Sequence, residues 1–189
     1  MNNYIQENIF KGLFFLSITL LFLIGACGEK SPSDFENSPL EKISNEDRIY
    51  TIENFQNTGF KVNKEYDVSL LKDSKGVWFG FWKNDLKKSL DYEIRIYPSQ
   101  KLALDQGVKY VEEVIGEDAI LKKSLSSWKE GIQDRRTRSD KSYKGSSANT
   151  VRAKYLDYIV YGNSIILCTG LDLTDARQNC SDLANSLEK

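Results

Sequence analysis

From Gly12 to Ala26 the chain runs fifteen residues, GLFFLSITLLFLIGA, without a charge, and a cysteine, Cys27, comes immediately after. A comfortable bilayer span needs about 20 apolar residues. Fifteen is the length of the apolar region of an export signal. Lys11 supplies a weakly positive flank, which Glu7 offsets. This run sets aside residues 1–26 as a signal peptide, so the fold must be built from the rest of the chain.

The end of the run, Leu23-Ile24-Gly25-Ala26-Cys27, resembles the lipobox of bacterial lipoproteins. In that motif small residues before the cysteine let the chain enter a peptidase. The cysteine thiol accepts a diacylglycerol. The resemblance covers residues 12–27 and implies a membrane anchor of palmitate-type acyl chains on Cys27, each buried CH2 contributing about 0.8 kcal/mol. It places the chain at the cell envelope, on the outer face of the cell membrane or on an outer membrane where there is one. Gly28 stands where, in enterobacterial sorting, an Asp retains a lipoprotein at the inner membrane. The competing reading is an uncleaved membrane helix with an incidental cysteine.

Residues 27–47 hold two of the three prolines and are rich in Ser, Glu and Asn, which reads as a flexible tether. Residues 48–189 are then one domain's worth of chain. Arg48–Asn57 has helical spacing at Ile49, Ile52 and Phe55, closed by Gly59. Val77–Trp82 (VWFGFW) reads as a strand, and Asp91–Tyr97 (DYEIRIY) alternates as a half-buried one. Ser99 opens a helix carrying Leu104, Val108, Val111 and Ile115. Leu121, Leu125, Trp128 and Ile132 repeat at 4, 3 and 4 and predict a second helix. Residues 134–149 are a polar, basic loop. Val151–Tyr161 and Ser164–Thr169 form a hairpin about Gly162-Asn163. Asp172 or Thr174 caps a last helix with the stripe Ala176, Cys180, Leu183 and Leu187. Strand-strand-helix thus occurs twice. Two such units side by side predict an α+β domain with a mainly antiparallel sheet of four strands, or five if residues 60–70 add one, and with the helices on one face.

The chain has no histidine, which removes Ser-His-Asp and Cys-His catalysis and His-based metal sites. Its net charge of -1 argues against general nucleic-acid binding. No cofactor motif is present. The spacing S-x-x-K of penicillin-binding enzymes occurs at Ser126–Lys129, at Ser69–Lys72 and at Ser186–Lys189, without the S-D-N or K-T-G that accompanies it. An envelope hydrolase is therefore the weakest of the functional readings.

Three features carry the remaining candidates. Cys168 ends a strand and Cys180 lies on the apolar stripe of the next helix, so the two could form a disulfide or sit as two buried thiols. Residues 134–154 carry seven Arg and Lys against two Asp, a balance of +5 that leaves -6 elsewhere. Arg135, Arg136, Arg138, Lys141 and Lys144 are candidates for contact with an anionic surface; the bland alternative is a solvated loop. Trp78, Trp82, Tyr155 and Tyr158 are candidates for stacking a ligand such as a carbohydrate, or are core. Together these describe a non-enzymatic domain that binds a small molecule or a protein at the envelope, with an accessory subunit of a membrane assembly as the alternative.

Overall fold

The computed structural model describes residues 39–138 and 150–189. The signal segment, Cys27, most of the expected tether, and residues 139–149 with Lys141 and Lys144 lie outside the described residues.

The fold is α+β. Five antiparallel strands, β1 (Lys61–Tyr66), β2 (Gly76–Lys83), β3 (Ser89–Ile96), β6 (Asp157–Tyr161) and β7 (Ser164–Cys168), form one sheet in the order β1-β2-β3-β7-β6. The two hairpins join through β3 and β7, where Ile94 faces Ile166. A second sheet pairs β4 (Arg136–Arg138) with β5 (Val151–Ala153). The continuous strand expected over Val151–Tyr161 is therefore broken at residues 154–156. There Gly116 N–H donates to Tyr155 and Lys154 N–H to Arg135.

Alternation sorts the side chains onto two faces. On one lie Leu90, Tyr92, Ile94, Ile96, Ile159, Tyr161, Ile166 and Cys168, packed by helix α4 (Leu173–Ser186) and by Phe55 of helix α1 (Ile52–Asn57). On the other lie Tyr158, Val160, Ile165 and Leu167, packed by a helical stretch made of α2 (Gln100–Leu102), a π turn (Ala103–Gly107) and α3 (Val108–Glu112). The helices cover opposite faces, not one. Ile165 and Ile166 are neighbours in β7 with no exposed surface, so each face needs its own cover.

Local chemistry explains the element ends. Ser99 caps α2 by accepting from Leu102 N–H, and Asp172 caps α4 by accepting from Asp175 N–H. Gly162, at φ 53°, makes the hairpin turn between β6 and β7. Phe60 lies over Gly80 of β2, where a Cβ would come within 2.5 Å of its ring. Cys168 and Cys180 form a disulfide, tying the end of β7 to α4.

Two further expectations fail. Residues 121–132 form turns, not a helix. Trp128 and Ile132 do point inward, but Leu125 is 66% exposed. Ser126 Oγ bonds the backbone locally, donating to the Trp128 carbonyl, while the backbone N–H of Ser127 donates to the distant Glu113 Oε1. The tether also ends earlier than residue 47. Leu40 N–H donates to Ser181 Oγ, Val160 N–H donates to the Lys42 carbonyl, and Ser44 N–H donates to the Val160 carbonyl. Residues 39–44 thus form an arm along the outer edge of β6, with Ile43 bridging Val160 in parallel. Glu188 fastens residues 48–50, accepting from Tyr50 and Tyr161 hydroxyls and pairing with Arg48.

Candidate functional site

A groove of about 660 Å3 opens where this arm meets the domain. Its apolar wall comes from Pro39 and Leu40 of the arm, Ile115 after α3, Leu156 before β6 and Leu173 at the start of α4. Its polar part is a trio. Asp157 opens β6 with its side chain 7% exposed, held by Arg177 of α4 and by Lys42 of the arm. Arg177 Nε donates to Asp157 Oδ2 at 2.7 Å, while Lys42 Nζ stands 3.4 Å from Oδ1. Asp157 Oδ1 also accepts the N–H of Tyr158. Lys42 further sits 4.1 Å above the Tyr158 ring.

Two cations on one carboxylate leave the trio itself with one positive charge at the edge of an apolar wall, and the exposed Glu41 of the arm also lines the groove. Lys42 is 42% exposed and Arg177 24%, so both retain donors toward solvent. Asp157, engaged by both, is poorly placed to act as a base. The arrangement suits holding an anionic group on an apolar body. Leu173 and its neighbour Leu171 are 63% and 76% exposed beside it.

The residues singled out from sequence lie elsewhere. Trp82 is buried with its indole N–H donating to the Thr58 carbonyl, and Tyr155 is wholly buried. Tyr158 is 4% exposed and donates its hydroxyl to Glu112. Trp78 is half-buried, its ring covering Gly76. Three of these are core, Trp82 also lines a separate groove beside Thr58 and Lys83, and only Tyr158 approaches the groove of the arm, beneath Lys42.

The basic candidates separate too. Arg135 is fully buried and binds Glu93 on β3 through Nε at 2.7 Å and Nη2 at 3.1 Å, with Nη1 donating to the Glu130 carbonyl. Arg95 Nε donates to the same carboxylate at 2.8 Å. Trp128 lies against both guanidiniums, 4.4 Å from Arg135 and 5.1 Å from Arg95. Arg135 therefore does have an anionic partner, but an internal one. Arg138 is exposed, and Arg136 donates to Gln133.

A family model matches residues 51–189. The chain belongs to the DUF6810 family, a family of unknown function. No curated protein matches the chain, and no solved structure does. The DUF6810 match takes in Asp157, Arg177 and the Glu93 cluster and stops short of Lys42, so the arm's contribution to the groove lies outside the matched span.

Sequence reasoning missed the trio. Asp157 did carry a signal: it is the charged residue opening an otherwise aliphatic and aromatic strand. Lys42 fell in the expected tether, and Arg177 on the polar flank of the last helix. Nothing in their spacing joins residues 42, 157 and 177.

Proposed function

We propose that this DUF6810 protein is an exported lipoprotein, anchored through Cys27, whose domain binds a small amphipathic anion in the groove without transforming it. The observation that carries the reading is the groove's make-up: an aliphatic wall ending at Lys42 and Arg177, with a carboxylate already committed to both cations. The lipobox at residues 23–27 is what supports the anchor. Pro39 lines the groove twelve residues after Cys27, which at about 3.5 Å per residue reaches at most about 40 Å. A lipidated Cys27 would thus keep the groove close to the membrane surface. The exposed Leu171 and Leu173 favour a second reading, in which the same rim meets a protein of a membrane assembly.

Ligand titration separates the two. Octanoate and octyl phosphate should shift amide resonances of residues 39–42, 115–116, 156–157 and 173–177, while octylamine and octanol should not. Lys42→Ala with Arg177→Ala should abolish the shifts. Equal response to octylamine, or no response to any of the four, refutes the anionic groove. For the anchor, Cys27→Ser should end incorporation of labelled palmitate in cells; label retained by the variant refutes lipidation there.

A further inference from the structure

The centre of the sheet face opposite α4 holds an uneven set of buried charges and donors. Glu93 is one carboxylate facing two guanidiniums, Arg95 and Arg135, and all three side chains have no exposed surface. One positive charge is left over. Arg135 is fully engaged through Nε, Nη1 and Nη2. Arg95 is not: both Nη1 and Nη2 are buried with no hydrogen-bond acceptor among the described residues. Trp128 Nε1 and the Tyr155 hydroxyl are likewise buried without a partner among the described residues. These groups converge on one region. Trp128 stacks on Arg95. Tyr97 lies two residues on from Arg95, directly after β3. Tyr155 packs with Tyr97 in the core on that face.

A buried polar group without a partner costs about 1–3 kcal/mol, more when charged. Here every such atom can donate, and the net charge beside them is positive. Water could bridge these groups but would leave that charge uncompensated. The walls of this region, Glu93, Arg95, Arg135 and Tyr155, have no exposed surface, so a bound anion must be small enough to be enclosed.

We propose that this region binds a small monovalent inorganic anion of the halide class, held by Arg95 Nη1 and Nη2 and approached by the indole N–H of Trp128. The anion balances the second guanidinium. It makes Arg95 a buried anion-binding residue, separate from Lys42 and Arg177 of the groove.

Thermal unfolding of the full-length protein in mild detergent tests this, in sodium bromide against sodium gluconate at equal ionic strength. A bound halide raises the melting temperature with the logarithm of bromide concentration. At a hundred times the dissociation constant the rise is roughly 5–10 °C. General salt effects rank the strongly hydrated gluconate above bromide, so the order itself is diagnostic. Crystals grown in bromide should show an anomalous peak within hydrogen-bond distance of Arg95 Nη1 or Nη2. Trp128→Phe, which keeps the ring against both arginines, should reduce the bromide increment, and Arg95→Met should remove it. No bromide-specific rise, or no anomalous peak beside Arg95, overturns the proposal from the wild-type protein alone, whether or not either variant folds.

Discussion

Replacing Glu93 by Gln isolates what the buried cluster contributes. The two side chains have nearly the same shape, so no cavity forms. The carboxylate accepts three hydrogen bonds, from Arg95 Nε at 2.8 Å and from Arg135 Nε and Nη2 at 2.7 and 3.1 Å. The amide would turn an NH2 toward guanidinium donors and remove the compensating charge from both. Breaking a buried ion pair by removing one partner costs about 3–5 kcal/mol. Against a total stability of about 5–15 kcal/mol that is a large fraction. With an m-value of about 2 kcal/mol/M, the urea midpoint should fall by roughly 1.5–2.5 M at unchanged m. Replacing Glu93, Arg95 and Arg135 together by Met should recover much of the loss, because no charge is then left buried. A midpoint shift under about 0.5 M for Glu93→Gln would refute the view that these charges depend on one another. Acid gives a second readout. Burial alone would raise the Glu93 carboxyl, but the charges and hydrogen bonds of Arg135 and Arg95 outweigh it and hold the carboxyl below its ordinary value of 4.5. A folded value below the unfolded one means its stabilisation is present above about pH 4.5 and is lost as the pH falls through the folded value. Glu93→Gln should flatten that acid limb of the stability profile.

Reducing the Cys168–Cys180 disulfide, which closes a loop of sequence separation 12, should cost about 3 kcal/mol in the chain-entropy model and lower the melting temperature by roughly 6–12 °C. Alkylation of both cysteines under non-reducing denaturing conditions would refute the bridge. Arg136→Gln with Arg138→Gln should leave the stability within about 0.5 kcal/mol of wild type in urea unfolding, as surface changes do. Arg135→Gln should destabilise by several times that, and equal effects from the two would contradict the inward placement of Arg135.

The strand pattern is readable because alternation is local. Asp91–Tyr97 announces β3, and Gly162-Asn163 announces the turn between β6 and β7. The same alternation misleads about Glu93 and Arg95, which read as the wet face of a half-buried strand. They are dry because residues 117–135 lie over them, and that segment has no regular structure to announce it. Its residues Leu121, Leu125, Trp128 and Ile132 fall at helical intervals, yet only Trp128 and Ile132 pack into the core, and Glu113 holds the backbone at Ile120 and Ser127. Arg135 misleads for a related reason: in sequence it belongs to a basic run, and its partner Glu93 is 42 positions away. The groove depends on the arm, which composition assigns to the tether, since Pro39–Ser44 has no hydrophobic period and is fixed by backbone hydrogen bonds that composition does not encode.

The arm's position along β6 bears on how the molecule avoids its own kind. A sheet has two outer strands, each a template for another chain. β1 guards itself, with Lys61 and Lys64 exposed and an irregular register between Val62 and Lys64. After the opening Asp157, β6 has no such defence in its own sequence, DYIVY, which is otherwise aliphatic and aromatic and is buried throughout. Its guard is the chain from Pro39 to Ser44, which occupies the N–H and C=O of Val160. A protein begun at Arg48, the boundary composition alone suggests, would keep its core and its disulfide but bare that edge, and should associate strand to strand in solution where the longer chain stays monodisperse.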